Sequence, residues 1–369
     1  MIAARPDPAP AAFSGSYAPE DVTFLLKPVS LTPVDVATKE ELIQSGRRHY
    51  SEMLSAETVP SAEYLRLYEE GLARNGTRLA QDVVNLAGAL AERADGRPEI
   101  VIASLARAGT PIGVLLRRAL RRMGLETCHY SVSIIRDRGI DLAALRFIAD
   151  RHDPRDLLFV DGWTGKGTIT HELQRSLAKR PMGFAPYLAV VADPAGCADL
   201  AASDEDYLIP SGLLNAIVSG LVSRSVLNDA LVGPGDFHAC VQYAHLAPQD
   251  LSRRFVDRID RLMHGLIPQR IIADPARKAQ RARACGAMVR RLMEDLQLKD
   301  RNRIKPGVAE ATRALLRRVP DRLLIRDAGD PDVAHLVQLA GERGLRIDPL
   351  PVGNGYRAVA VIRTLGQDI

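Results

Sequence analysis

The stretch that most constrains this 369-residue chain is 157–170, Leu-Leu-Phe-Val-Asp-Gly-Trp-Thr-Gly-Lys-Gly-Thr-Ile-Thr. A short apolar run ends in a carboxylate, then passes through a Gly/Thr loop into 168–180, where apolar residues recur at helical spacing. Residues 157–160 therefore read as a buried parallel strand. The loop falls at its C-terminal end, where open α/β sheets bind their ligands. Gly165 and Gly167 let the backbone approach a phosphate, while amides and the hydroxyls of Thr164 and Thr168 can donate to it. The helix N-terminus favours its negative charge. Asp161 suits the hydroxyls of a sugar. The run is not a Walker A loop, because Gly167 separates Lys166 from Thr168, and not a dinucleotide fingerprint, because no third glycine follows Gly165 and Gly167.

A second loop of the same kind lies upstream. Residues 99–104 read as a strand, 105–110 (Leu-Ala-Arg-Ala-Gly-Thr) as a tight loop, and Pro111 as the first residue of a helix to about Met123. With a strand over 128–135 between the two units, the pattern is a doubly wound parallel α/β sheet carrying both loops at one edge.

These residues resemble the type I phosphoribosyltransferases. The resemblance implies that Asp161 binds the ribose hydroxyls of phosphoribosyl pyrophosphate and serves as a ligand to Mg²⁺. It assigns the 5-phosphate to Thr164, Gly165, Lys166, Gly167 and Thr168, and the pyrophosphate to Ala106, Arg107, Ala108, Gly109 and Thr110. Arg136 and Arg138, in a segment expected to be mobile, would close over the leaving group. Catalytic roles thus fall to Asp161, Arg107, Arg136 and Arg138. Gly162 stands where the family has a second acid, the loop is slightly short, and Trp163 sits inside it. Stabilisation of the separating charges would come from Mg²⁺ and aimed amides or arginines rather than from a covalent nucleophile.

A broader resemblance covers nearly the whole chain. Residues 15–22, 49–53, 129–141, 206–211 and 219–224 resemble the bacterial family of phosphoribosyltransferase-like proteins linked to tellurium-resistance and stress operons, also called the cysteine protease StiP family. That second label implies a thiolate. Cys128 and His129 are neighbours on a strand and point to opposite faces, whereas His238 and Cys240 would share one. No helix N-terminus lowers the pKa of either cysteine. Cys197 and Cys285 read as small buried hydrophobes, and no spacing suggests zinc. The repeated His-Tyr-Ser at 49–51 and 129–131, and the polar residues Asp206, Ser211, Asn215, Ser219 and Arg224, read either as an acceptor wall or as satisfied buried groups.

The last seventy or so residues read as a separate unit. A helix with Asp274 as N-cap and Pro275 at its first position precedes a polar linker, 299–306. Beyond it the pattern gives a helix at 308–318, a strand at 322–326, a helix at 332–343 and strands at 345–350 and 358–363, a small α/β/α sandwich. Residues 307–313, 317–318, 323–327 and 336–345 resemble the RNA-binding domain of pelota and the ribosomal L7Ae and eL30 proteins. The resemblance implies RNA contacts from Lys305, Glu310, Arg313, Arg317 and Arg318. Ala309 replaces the base-reading Asn, so these cations would grip phosphates without reading sequence.

Composition accommodates this plan: 46% hydrophobic residues suffice for a full α/β core plus a small second domain. A net charge of +4 is mildly basic. Few cysteines, no membrane-length apolar run and no export signal point to the cytoplasm. The expected layout is a disordered tail (1–13), a phosphoribosyltransferase-like domain with an N-terminal extension (14–298), a linker (299–306) and a pelota/L7Ae-like domain (307–369). The expected activity is transfer of phosphoribosyl to an unidentified acceptor, coupled to RNA. A non-catalytic sensor of phosphoribosyl pyrophosphate or a nucleotide and a cysteine protease are the alternatives. Analogy with phosphoribosyltransferases implies a homodimer.

Overall fold

The computed structural model describes residues 13–94, 96–351 and 355–364. In chain order the first module carries β1 (Thr23–Leu25), β2 (Lys27–Pro28), α1 (Val36–Gln44), α2 (Ala62–Arg93), β3 (Ile100–Leu105), α3 (Gly109–Arg122), β4 (Thr127–Val132), β5 (Ile134–Ile135), β6 (Gly139–Ile140), α4 (Leu142–Ala149), β7 (Leu157–Trp163), α5 (Thr168–Leu177), β8 (Leu188–Ala192), β9 (Leu200–Ser203), β10 (Ala239–Cys240) and α6 (Ser252–Met263). There follow α7 (Pro275–Asp295), β11 (Ile304–Pro306), α8 (Val308–Arg317), β12 (Pro320–Ile325), α9 (Ala334–Glu342), β13 (Arg346–Pro349) and β14 (Ala358–Ile362).

The main sheet runs β1-β4-β3-β7-β8-β9 with every pairing parallel. Its central strand β3 is apolar and buried on both faces, as a doubly covered parallel strand must be. On one side α2, α3 and α6 pack in the larger core; on the other Leu145, Ile148, Leu173 and Leu177 of α4 and α5 close the second. This is a doubly wound parallel α/β arrangement. Because β3 and β7 are adjacent, the two loops that follow them are neighbours. A Cβ on Gly109 would lie 2.4 Å from the Val160 carbonyl oxygen, so only glycine lets the first loop approach the end of β7. α3 begins at Gly109, two residues before the expected Pro111.

The C-terminal sheet, β11-β14-β12-β13, is mixed. α8 and α9 cover one face. The other is covered by α7, whose Cys285, Met288, Val289 and Leu292 join Ile304, Leu324, Val359 and Val361 in one core. Two expectations shift accordingly. The helix placed before the linker packs as a layer of the C-terminal sandwich, and the supposed linker contains β11, an edge strand paired with β14. Asp274 caps α7 as expected, accepting from Arg277 N at 2.9 Å.

The two modules share one core: Leu72, Leu213 and Leu214 belong to the same cluster as Val308, Leu315 and Leu336. Polar contacts pin the joint. Asp206 accepts from Val308 N at 2.9 Å and from Arg357 N at 2.8 Å, so a residue of the first module caps α8 of the second. Asn75 donates to Asp332 Oδ1 at 2.8 Å, and the Tyr356 hydroxyl to the Gly165 carbonyl at 2.7 Å. At the other end Phe13 bridges Phe24 with the rings stacked; the rest of the expected tail, 1–12, lies outside the described residues. Among the described residues no helix is long and apolar enough to cross a membrane.

Candidate functional site

Between the 164–168 loop and α8 lies a cavity of about 590 Å³. Its floor is Asp161, at the end of β7, with Trp163 and the loop itself. Gly167, at φ +79°, caps α5 in the left-handed conformation that glycine adopts at little cost. Ten cations line the space: Lys39, Arg136, Lys166 and Arg224 from the first module, and Lys299, Arg303, Lys305, Arg313, Arg317 and Arg318 from the C-terminal one. Among the described lining residues the acids are Asp161, Asp300 and Glu310; Glu40 and Asp137, outside the lining, pair with Arg318 and Arg136.

The charges are poorly compensated. The Nε atoms of Arg313 and Arg317 are buried without a hydrogen-bond partner. Burial, then Lys305, Arg301 and Arg136, lowers the Lys166 ammonium to about 6, although it donates to the carbonyls of Arg301 and Ile304 at 2.6 and 2.9 Å. Burial and neighbouring arginines bring Lys305 and Lys39 to about 8. Burial and the Arg107 charge hold Arg317 well below its ordinary value. Burial lifts the Asp161 carboxyl to about 7, against the pull of Arg313 and a 2.8 Å hydrogen bond from Gly162 N. Like charges gathered in one cavity repel one another, and an anion among them offsets that repulsion.

Trp163, out of place in a phosphate loop, is the seat of the second module. Its Nε1 donates to Glu310 at 3.3 Å, and the Arg313 guanidinium lies 4.5 Å from its ring centroid. Burial pushes the Glu310 carboxyl up, but Arg313 and Lys305 win and keep it ionised.

The expected site residues divide. Asp161, Arg136, Thr164, Gly165, Lys166, Gly167 and Thr168 all line the cavity, and so do all five residues expected to hold RNA, Lys305, Glu310, Arg313, Arg317 and Arg318. The last five face inward, not out to solvent along an open helix. Arg318 is also tied to Glu40 of α1. Ala106, Arg107, Ala108, Gly109 and Thr110 do not line the cavity. Arg107 is instead paired with Glu57 and donates to the Val222 carbonyl at 2.6 Å; burial demands that partner, and Glu57 supplies it from fifty residues away. The Thr110 hydroxyl is taken by Ser131 at 2.8 Å. Arg138, at the tip of the β5–β6 hairpin, is half-exposed and points to Glu52. The Thr164 hydroxyl donates to Asp193 at 2.5 Å, leaving the loop amides rather than this hydroxyl for a ligand.

Asp193 was missed. It also accepts from Cys197 N and Ala198 N at 3.0 Å, folding the Asp-Pro-Ala-Gly turn after β8 against the 164–168 loop. That turn composition was the available signal. Lys39 and Tyr50 were missed as cavity residues too, coming from the N-terminal extension. Of the paired histidines, His129 is a satisfied structural group, buried between Ser104 and the Asp21 carbonyl and driven to about 4 by burial, whereas His49 bonds the Ser51 hydroxyl through Nδ1 and leaves its buried Nε2 without a partner.

Mg²⁺ does not fit the protein donors alone. Glu310 is engaged by Trp163 and Arg313, Asp300 is exposed at the rim, and Asp161 is a single carboxyl among ten cations.

Residues 15–260 match the family described as "Tellurite-like stress resistance cysteine protease StiP". A protein of Acinetobacter baylyi named "Cysteine protease StiP" is 44% identical over 374 residues, spanning 96% of this chain and 95% of that one. The chain belongs to the StiP family. Residues 283–364 match the PELOTA RNA binding domain, a span that begins inside α7, in keeping with the packing of that helix. Among solved structures, hypoxanthine phosphoribosyltransferase of Trypanosoma cruzi is similar. A mutant complexed with the product IMP is 15% identical, covering 48% of this chain and 85% of that one at a TM-score of 0.28. Another structure of the same enzyme is 14% identical, covering 46% and 94%, at 0.29.

The cysteines of this StiP-family chain are not activated. Burial raises Cys240 and Cys197 to about 12, and it raises Cys128 and Cys285 as well. The expected His238–Cys240 dyad does not form: Cys240 is fully buried in the core, while the His238 ring takes the Ser133 hydroxyl at 2.8 Å. Cys128 does meet Glu99 and His152, with ligand atoms within 4.8 Å, a cluster that sequence spacing hides.

Proposed function

We propose that the cavity binds a phosphorylated ribose, phosphoribosyl pyrophosphate or a nucleotide, with its phosphates among the ten cations and its ribose hydroxyls on Asp161. The observation that carries the reading is the excess of partly unpartnered cations around a strand-end Gly/Thr loop. In transfer, the bond from the anomeric carbon to pyrophosphate breaks, pyrophosphate leaves with the electron pair, and the acceptor atom bonds that carbon as it loses a proton. Arg136, Lys305, Arg313 and Arg317, which line the cavity, would stabilise the departing charge, the usual source of catalysis for such a step. Gly162 and the half-protonated Asp161 favour the companion reading, a sensor that holds the ligand without consuming it.

Calorimetric titration of phosphoribosyl pyrophosphate, with and without Mg²⁺, into wild type and Asp161→Ala tests binding, and the ligand's phosphorus spectrum separates transferase from sensor. Absence of binding at millimolar ligand would refute both.

A peptidase reading has one specific observation in its favour. His152 Nδ1 lies 2.7 Å from Glu99 Oε1, the orientation a Cys–His pair requires, with Cys128 close by. Its Nε2, however, bonds the Tyr130 hydroxyl at 2.8 Å. Peptide cleavage lost in Cys128→Ala but retained in Cys240→Ala would establish that site.

A further inference from the structure

All five residues assigned to RNA contact line the same cavity as the phosphate loop. RNA that engages all five together does so within that cavity. Its volume, about 590 Å³, is that of a small-molecule site. One nucleotide fits such a space; a duplex, with two backbones and a rigid stack between them, does not. A way out is marked by charge: Lys299 is exposed on the cavity rim, Arg301 is exposed beside it, and Lys166 ties that rim to the phosphate loop through the carbonyls of Arg301 and Ile304. Inside, the buried Nε atoms of Arg313 and Arg317 await an acceptor, which a phosphate monoester supplies in quantity.

We infer that the cavity receives the phosphorylated end of a single-stranded RNA, its terminal phosphate on the loop and α8 cations and its following backbone leaving over Lys299 and Arg301. This rests on the proposed phosphoribosyl site and narrows its ligand class: the ribose on Asp161 becomes the terminal ribose of a strand. The RNA-binding module then acts as half of the end-recognition pocket, and free phosphoribosyl pyrophosphate competes with the strand.

The test uses the full chain and ten-nucleotide single strands with a mid-strand fluorophore, ending in a 5′-phosphate, a 3′-phosphate or hydroxyls only. Anisotropy is expected to show one phosphorylated end binding about tenfold or more tighter than the hydroxyl-ended strand. Unlabelled phosphoribosyl pyrophosphate should displace it. Arg301→Glu, outside the cavity lining, should weaken the strand several-fold while leaving calorimetric binding of phosphoribosyl pyrophosphate unchanged. Equal affinity for phosphorylated and hydroxyl ends, no strand binding, or a strand that phosphoribosyl pyrophosphate cannot displace would overturn the inference. If phosphoribosyl pyrophosphate binds while strand ends are not distinguished, the inference alone fails. If it does not bind at all, the proposed function fails with it.

Discussion

Arg313 is the residue through which the cavity can be probed most cleanly, because it touches Trp163, the single tryptophan of the chain. Its guanidinium lies over that indole, pairs with Glu310 at 3.3 Å, and opposes the burial of the Asp161 carboxylate. A bound phosphate would take charge-assisted hydrogen bonds from it, each worth about 1.5–3 kcal/mol. Drawing the side chain from its Glu310 pair returns about 0.5–1 kcal/mol. The net loss in Arg313→Ala is then about 1–2 kcal/mol, or about 5- to 30-fold in Kd for phosphoribosyl pyrophosphate. Trp163 emission, excited selectively, reports the titration, and wild type should respond at saturation as the cation above its ring is redirected. Arg313→Lys, which keeps a charge but loses the planar fork, should fall between the two. An Arg313→Ala affinity within twofold of wild type would refute the assignment of α8 as a ligand wall.

Three further expectations follow from the same geometry. Anion affinity should fall as pH rises through about 8, where Lys305 and Lys39 lose protons, and calorimetry in buffers of different ionisation enthalpy should show proton uptake on binding. The empty protein should show the opposite slope: the unfolded chain keeps those lysine protons to about 10.5, so between the folded and unfolded values it binds more protons and these groups raise folding stability with pH. Affinity independent of pH between 7 and 9 would contradict this. Iodoacetamide should modify the native cysteines slowly at pH 7, since all four thiols are raised, and a rapid stoichiometric reaction would revive a thiolate mechanism. Leu292→Ala on α7 should cost about 2–4 kcal/mol in urea denaturation if that helix is a true layer of the C-terminal core, whereas a loss below about 1 kcal/mol would make it peripheral.

Much of the fold was legible because its signals are local. The apolar runs ending at Ser104 and Asp161, the glycines at 109, 165 and 167, and the Asp274-Pro275 start of α7 each fix an element within a few residues. Side-chain destinations were less legible, since they depend on partners far along the chain. Arg107 looked like a phosphate ligand until Glu57 claimed it. Lys305, Arg313 and Arg317 read as RNA contacts on an open face because the 3.6-residue period locates a face without saying what docks on it. Asp206 gave no hint that it caps a helix a hundred residues later. Trp163 was a departure from the loop pattern and turned out to be the contact that seats α8.

The 164–168 loop and α8 of the C-terminal module, in the proposed function, form two walls of one ligand site. Hydrogen–deuterium exchange of the full chain with and without saturating phosphoribosyl pyrophosphate tests it directly. Slowed exchange is expected in both 162–170 and 303–318. Slowing confined to the loop, or no change in either segment, would contradict it.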